Sequence, residues 1–416
     1  MMERTVTPTL RLYYDDAYTL RFDAQIVERT THESRPAVIL DQSYFYPESG
    51  GQPWDTGRLT TPQGSADVIE TRIRDSDQAV LHVLDRELTG ERVYGMINPD
   101  RRRDLTQHHS AQHILSAALS QAAAAETVSV RMSMETMTID VNHLPLSDAD
   151  LERVERLANE VVQSNRPIRC WYPDPSEIPA LGLRKLPDVV GKLRVVDVSD
   201  GFDVTACGGT HVRNTGEIGL IKIIRQEKFK GGARLEFKAA GRAITDYTLK
   251  NALLNGLASD LTTAYTEIPA TLAKFRDELK VLKSELKVYR DQALANEATA
   301  LYTAADSVGS YRVVVAAFPE RTVDDLKTLS SQLNGYADCV SLLGIAGEKS
   351  LILISRGDAV GIDAVSLLKV ALGVLGVERG GGRPNSAQGG GSPATVDQVR
   401  AALNAAREHV LNSPDR

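Results

Sequence analysis

The chain has 416 residues, with 42% hydrophobic and 25% charged, which fits an ordinary soluble composition and roughly two to four domains. A net charge of −7 argues against indiscriminate nucleic-acid binding, without excluding a local basic surface. No apolar run approaches a membrane span, the start Met1-Met-Glu-Arg-Thr is not a signal peptide, and three cysteines do not make a disulfide framework. The expectation is a cytoplasmic protein with no membrane partner.

Residues 1–95 read as strands and turns, a small β-barrel-like unit. Val38-Ile-Leu-Asp41 is a strand candidate that leads through Ser43-Tyr-Phe-Tyr46 into the turn-rich Pro47-Glu-Ser-Gly-Gly-Gln-Pro53. Leu59, Val68, Ile73 and Val80-Leu-His-Val-Leu84 continue the pattern.

Residues 96–245 read as an α+β core and carry the main chemical content of the chain. A helical stretch from Asp104 to Ala125 holds His109-Ser-Ala-Gln-His113. Residues four apart share a helix face, so both imidazoles reach one ion. Ala111, Leu115, Ala118 and Ala122 lie nearly opposite, which makes a helix buried on most sides. His108 points away from His109 and reads as structural or supporting. Much later, after strands at Leu193–Val198 and Phe202–Ala206, comes Cys207-Gly-Gly-Thr-His211, whose two glycines permit a tight turn. Three imidazoles and one thiolate make a zinc-type set, and we assign one Zn²⁺ per chain to His109, His113, Cys207 and His211. A pair of histidines on its own is as often a satisfied polar pair; two such pairs tip the balance. Basic residues flank the site: Arg101-Arg-Arg103 before the helix, and a strip of Lys222, Arg225, Lys228, Lys230, Arg234, Lys238 and Arg242. Either a solvated face or phosphate contacts would explain them, and their placement favours phosphate.

Residues 246–305 read as a helical, coiled-coil-like linker. Leu272, Phe275, Leu279, Leu282, Leu286 and Tyr289 form a short a/d stripe, suited to an antiparallel hairpin or a homodimer seam, with packing inside its own chain the commoner outcome. Residues 306–416 form a second α/β unit with strands at Arg312–Ala317 and Leu351–Ile354 and helices at Val323–Gly335, Ile362–Leu375 and Val396–Glu408. Six glycines in the twelve residues Gly380–Gly391 read as a loop that exposes backbone N–H groups to a phosphate or ribose, with Arg383 and Asn385 inside it.

These motifs resemble the editing domain of alanyl-tRNA synthetase and its freestanding relatives, the AlaX proteins. The resemblance rests on His-Ser-Ala-Gln-His, Cys-Gly-Gly-Thr-His, Phe45-Tyr-Pro-Glu-Ser-Gly-Gly-Gln-Pro53 and Gly231-Gly-Ala-Arg-Leu-Glu-Phe237. The glycine-rich stretch resembles the DHH-associated domain that ends the synthetase. The order of motifs, with no aminoacylation domain ahead of them, implies a long-form AlaX: a zinc-dependent trans-editing hydrolase acting on tRNA(Ala) mischarged with serine, and with glycine. A pocket that discriminates by fit gains only roughly 1–3 kcal/mol per small group, which is why a second, hydrolytic site is needed. The resemblance carries the four ligands over and places Glu48, Gly50, Gly51 and Gln52 near the tRNA 3′ end. It puts Ser43 where relatives carry threonine, a contact for the seryl hydroxyl, and Arg131 where many carry histidine, which removes a His-based acid–base role there. No conventional general base stands out, and Asp203 is a candidate only through its closeness to Cys207. Lys222, Lys230, Arg234, Arg383 and Asn385 are candidate tRNA contacts, and the linker or C-terminal domain would add tRNA affinity or dimerisation. Three rivals stand beside this reading. A threonyl-type editing domain is disfavoured because its loop resembles Cys-x-Gly-Pro-His. A DHH phosphoesterase is disfavoured because Gln107-His-His109 does not supply its Asp-His-His motif. A noncatalytic tRNA-binding protein with a structural zinc stays open, since four ligands can close a zinc site.

Overall fold

The computed structural model describes residues 9–185, 192–198 and 200–412, so the chain start read above for a signal sequence lies outside it. The chain divides into two compact units, one through Leu257 and one from Ala258.

The first unit opens with a closed six-stranded barrel of β1 (Arg21–His32), β2 (Arg35–Leu40), β3 (Gly57–Thr61), β4 (Gly64–Ile73), β5 (Val80–Leu84) and β6 (Arg92–Ile97), in the order β1-β2-β5-β4-β3-β6. Phe22, Val38, Leu40, Phe45, Leu59, Val68 and Leu84 fill it. Between β2 and β3 the chain makes the turn Ser49–Gln52, closed by reciprocal backbone hydrogen bonds of 3.2 and 2.9 Å. Gly50 and Gly51 both hold positive φ there, 57° and 84°, which a side chain would resist.

α1 (Pro99–Ala123) follows directly. It starts five residues earlier than the periodicity suggests, because Asn98 caps the amides of Asp100 and Arg101 and Pro99 suits the first helical position. Arg101–Arg103 therefore form its first turn instead of preceding it. The unit continues with β7 (Thr127–Met132), β8 (Met137–Val141), α2 (Asp148–Gln163), β9 (Ile168–Trp171), β10 (Val195–Val198), β11 (Asp203–Ala206), β12 (Ile221–Phe229) and β13 (Gly232–Ala239). One antiparallel sheet runs β12-β13-β8-β7 and a second runs β9-β10-β11. On β13, Ala233, Leu235, Phe237 and Ala239 face a core shared with Ile114, Leu115 and Ala118 of α1 and Val154 and Val161 of α2, while Arg234, Glu236 and Lys238 face outward.

The linker is two helices, α3 (Ala240–Asp260) and α4 (Ile268–Ala304), not one segment. The chain breaks where Thr262 takes φ 51° and Pro269 enters the start of α4. Among the described residues of the second unit the a/d stripe is not packed as expected: Leu279, Leu282 and Leu286 are exposed.

The second unit then adds β14 (Asp306–Val308), β15 (Tyr311–Phe318), α5 (Val323–Leu333), β16 (Cys339–Ile345), β17 (Leu351–Arg356), α6 (Ala364–Leu375), β18 (Gly380–Arg383), β19 (Ser386–Gly390) and α7 (Val396–Leu411). Its mixed sheet runs β14-β15-β16-β17-β19-β18. The glycine-rich segment is a β-hairpin, not an open loop: Gly380 pairs with Gly389 and Arg383 with Ser386, and Ser386–Gly390 pairs onward with β17. Many of the amides expected to face a ligand are thus spent in a ladder. No helix among the described residues is long and apolar enough to cross a membrane.

Candidate metal centre

α1 is buried without interruption from His108 to Leu119, and on that stretch His109 and His113 share one face. The loop after β11 brings Cys207 and His211 to the same face. Gly209 makes the approach feasible, since a Cβ there would fall 2.0 Å from Cε1 of His109. Arg194 fastens the loop, donating at 2.9 Å to the carbonyls of both Cys207 and Gly209. One ligand atom from each of His109, His113, Cys207 and His211 lies within 4.8 Å of the others. Cys207 Sγ is 3.4 Å from Nε2 of both His109 and His211. Ordinary zinc–nitrogen and zinc–sulfur lengths in a tetrahedron put that edge at about 3.6 Å, so the donor set fits the ion.

Every imidazole is braced through its other nitrogen. His109 Nδ1 bonds Gln52 Oε1 at 2.7 Å, His113 Nδ1 bonds Asp203 Oδ2 at 3.0 Å, and His211 Nδ1 bonds Ser110 Oγ at 3.2 Å. This fixes the tautomer and leaves each Nε2 free to ligate. The braces are themselves held. Gln52 Oε1 also accepts the Thr210 amide at 3.0 Å, and Arg184 Nε donates to Asp203 at 2.6 Å. Burial opposes ionisation of the Cys207 thiol, but His109, His113 and His211 outweigh it and hold the thiol well below its usual range. Burial likewise pushes His113 down, yet Cys207 and Asp203 lift it to about 9, while His211, where burial dominates, falls to about 3. Asp203 stays below the ordinary carboxylate range because His113 and Arg184 overcome its burial.

The other sequence-derived residues scatter. Gln52 is fully buried as the brace on His109, and Asp203 as the brace on His113, so neither geometry is that of a group facing substrate. Ser43 is fully buried in the barrel, its Oγ 2.7 Å from Nε2 of His82 and accepting the Phe45 amide at 3.1 Å; no hydrogen bond among the described residues joins it to the four ligands. Glu48 pairs with Arg72. Gly50 and Gly51 form the turn, and a Cβ on Gly51 would lie 3.5 Å from the Val130 carbonyl, next to exposed Arg131 on β7. His108 bonds the Asp104 carbonyl at 2.8 Å and accepts the Ala239 amide at 3.2 Å, a structural role.

The basic flank is largely neutralised. Arg102 is buried against Asp55, so the Arg101–Arg103 run does not present three cations to a phosphate. Lys222 pairs with Glu155, Arg225 with Glu227, Arg234 with Asp140, Lys238 with Asp246 and Arg242 with Asp104. Strand register explains the Arg234 pair, since Asp140, Arg234 and Glu227 lie directly opposite one another across three strands. Lys230 sits 5.2 Å from the Phe229 ring centroid. In the second unit Arg383 and Asn385 are exposed at the hairpin tip, where the Asn385 carbonyl accepts the Arg356 amide at 3.1 Å. Arg184, Arg194 and His82 went unread in the sequence, where nothing local marks them. Ser110 lies inside the His109–His113 motif, and a search for hydroxyls between ligands would have found it.

Cys207 and His211 lie within residues 193–236, which match the model of the threonyl and alanyl tRNA synthetase second additional domain. Residues 2–101, which include the barrel, match that of the class II (A) tRNA synthetases. Both stretches are thus similar to domains of tRNA synthetases. The alanine–tRNA ligase of Methanoregula boonei is 34% identical over 428 residues, 97% of this chain and 44% of that protein. That of Halobacterium salinarum is 34% identical over 404 residues, 93% of this chain and 42% of the relative. The chain is thus similar to alanine–tRNA ligases along nearly its whole length, carries the converging His/His and Cys/His motifs, and spans less than half the length of these curated relatives. Among solved structures, the C-Ala domain of Aquifex aeolicus alanyl-tRNA synthetase aligns at 23% identity over 26% of this chain and 98% of that one, with a TM-score of 0.24.

Proposed function

We propose that this chain hydrolyses the ester linking serine, and glycine, to the 3′-terminal adenosine of mischarged tRNA(Ala), at a zinc ion held by His109, His113, Cys207 and His211. In that reaction water adds to the ester carbonyl, the bond to the ribose oxygen breaks, and that oxygen leaves with a proton. A bound zinc ion would supply Lewis acidity, polarising the carbonyl or bringing water towards a pKa of ~7. The chain's own residues orient the ligands: Gln52, Asp203 and Ser110 aim each Nε2, and Arg184 keeps Asp203 charged. Cys207 is the one ligand not fully buried, and Gly208 beside it is exposed, so substrate approaches from that side. Ser43, spent on His82, takes no part in this scheme.

The observation that carries the reading is the convergence of both motif pairs at one point, in a chain similar to alanine–tRNA ligases along nearly all its length. The test is deacylation of Ser-, Gly- and Ala-charged tRNA(Ala) by the purified protein and by Cys207→Ala. Rapid loss of serine, sparing of alanine and an inactive variant support it. No hydrolysis of any of the three, with zinc bound stoichiometrically, overturns it. One observation favours a second reading: four protein ligands close a tetrahedral zinc, as in structural sites. A tRNA-binding protein with a structural zinc would give that negative result while still retaining tRNA.

A further inference from the structure

The arginines of the first unit fall into two groups. Arg102, Arg184, Arg234 and Arg242 each meet a carboxylate. Arg194 and Arg11 meet none among the described residues, and Arg29 and Arg101 likewise bond only carbonyls. Arg194 is 8% exposed, and its bonds go to the neutral carbonyls of Tyr14, Cys207 and Gly209 at 3.2, 2.9 and 2.9 Å. Arg11 donates to the Gln78 carbonyl at 2.7 Å and to the Tyr14 hydroxyl at 3.4 Å. A desolvated guanidinium without a counter-ion is costly and calls for an anion from outside. The metal set does not relieve this, because a dication with one thiolate keeps a positive charge. Asp15, the carboxylate next to Tyr14 in the chain, pairs with neither arginine.

Between these two cations stands Tyr14. Its centroid is 5.7 Å from the Arg194 guanidinium carbon, and it packs on Tyr13 at 4.6 Å. Its ring also lies against the exposed Gly208, where a Cβ would sit 3.5 Å from Tyr14 Cε1. Exposed Tyr172 follows β9, whose Trp171 pairs with Val195, the neighbour of Arg194. Tyr14 and Arg194 thus border the Cys207 loop on the open side of the metal centre, with Arg11 on the Tyr14 hydroxyl and Tyr172 at the end of the neighbouring strand. Aromatic rings interleaved with guanidinium groups suit a single-stranded nucleotide, base on ring and phosphate on cation.

We propose that Tyr14 and Arg11, backed by Arg194 and Tyr172, form the seat of the unpaired 3′-terminal nucleotide of the RNA, with its base on Tyr14 and its 5′ phosphate on Arg11. This rests on the tRNA reading above, but not on hydrolysis.

The test compares two labelled RNA hairpins, one with a single-stranded 3′ tail ending in adenosine and one lacking that nucleotide. The wild-type protein is expected to prefer the first. Tyr14→Leu should weaken its binding about tenfold and erase the preference, whereas Tyr14→Phe, which keeps the ring, should retain both. Arg11→Met should weaken both RNAs and lower the salt dependence by about one ion. Zinc content, measured on each variant, guards against loss of the fold. Equal binding of the two RNAs by the wild type, or wild-type behaviour of Tyr14→Leu and Arg11→Met, overturns the proposal. A protein that discriminates the RNAs yet deacylates nothing keeps this seat and loses the hydrolase; one that deacylates with unchanged KM in Tyr14→Leu and Arg11→Met loses the seat alone.

Discussion

The buried imidazoles of the first unit end in two ways, and His108, like His82, spends both nitrogens inside the fold. In the barrel, His82 uses both: Nδ1 contacts the Val38 carbonyl at 3.2 Å and Nε2 takes the Ser43 hydroxyl at 2.7 Å. Burial pushes its pKa down to about 4, so it is neutral, with no valence to spare. At the metal centre, His109, His113 and His211 are as deeply buried, yet each commits only Nδ1 to a brace and turns Nε2 towards a common point shared with a thiolate. Burial therefore does not mark the site; converging, unspent donor atoms do.

The sharpest way to break that contrast is to remove a convergent donor. Cys207→Ala should lose stoichiometric zinc, read by elemental analysis after gel filtration. Gly209→Ala should do nearly as much without touching a ligand, because its methyl would occupy the place of the His109 ring. Full zinc content in Gly209→Ala would show that the ring relocates without loss, against the rigid geometry described here.

The braces come next. Gln52→Ala and Asp203→Asn keep all four ligands but free His109 and His113 to reorient. Each should weaken zinc about 10–100-fold in a chelator competition. If Gln52→Ala instead leaves zinc affinity unchanged and weakens only RNA binding, the resemblance-based role of Gln52 at the tRNA end is the better account.

Protonation gives a smaller, graded effect. His113 is lifted to about 9, so near neutral pH the metal-free site holds a proton there that the ion must displace. Zinc affinity should rise as pH rises towards 9, by about tenfold per unit for one proton, and flatten above it. Cys207 adds little slope, since its thiol is held ionised. In the metal-free protein the raised pKa works in the opposite sense. The stability it contributes is present below the ordinary histidine value near 6.5 and is lost as pH climbs through about 9. Competition titrations at pH 6.5, 7.5 and 8.5, with thermal melts of the metal-free protein, check both signs.

Much of this was legible in the sequence because it is local. Four-residue spacings on a helix and across a glycine turn announce shared faces, and the barrel's short strands and turns announce themselves by alternation. What stayed hidden depends on distant partners. Arg184 and Arg194 precede the Cys207 loop, but their functions appear only when β10 and β11 pair and the loop folds over α1. The pairing of the basic strip stayed hidden for the same reason: the partners Asp140, Glu155 and Asp104 lie on other strands and helices, at least 67 positions away along the chain. The glycine-rich segment looked like an open phosphate loop because composition does not reveal that its amides are paired in a hairpin.

Ser43→Ala supplies the last test, since it disturbs the other imidazole and should leave the metal alone. Removing the hydroxyl strands His82 Nε2 in a fully buried setting, which costs about 1–3 kcal/mol for an unsatisfied polar group. The barrel should melt earlier, while zinc affinity and its pH dependence stay at wild-type values. His82→Phe, which removes the stranded Nε2 and keeps an aromatic ring beside Phe45, should restore part of the loss when combined with Ser43→Ala. A drop in zinc affinity in Ser43→Ala, with the barrel unchanged, would reverse the assignment, since it would tie Ser43 to the metal centre and not to the barrel core.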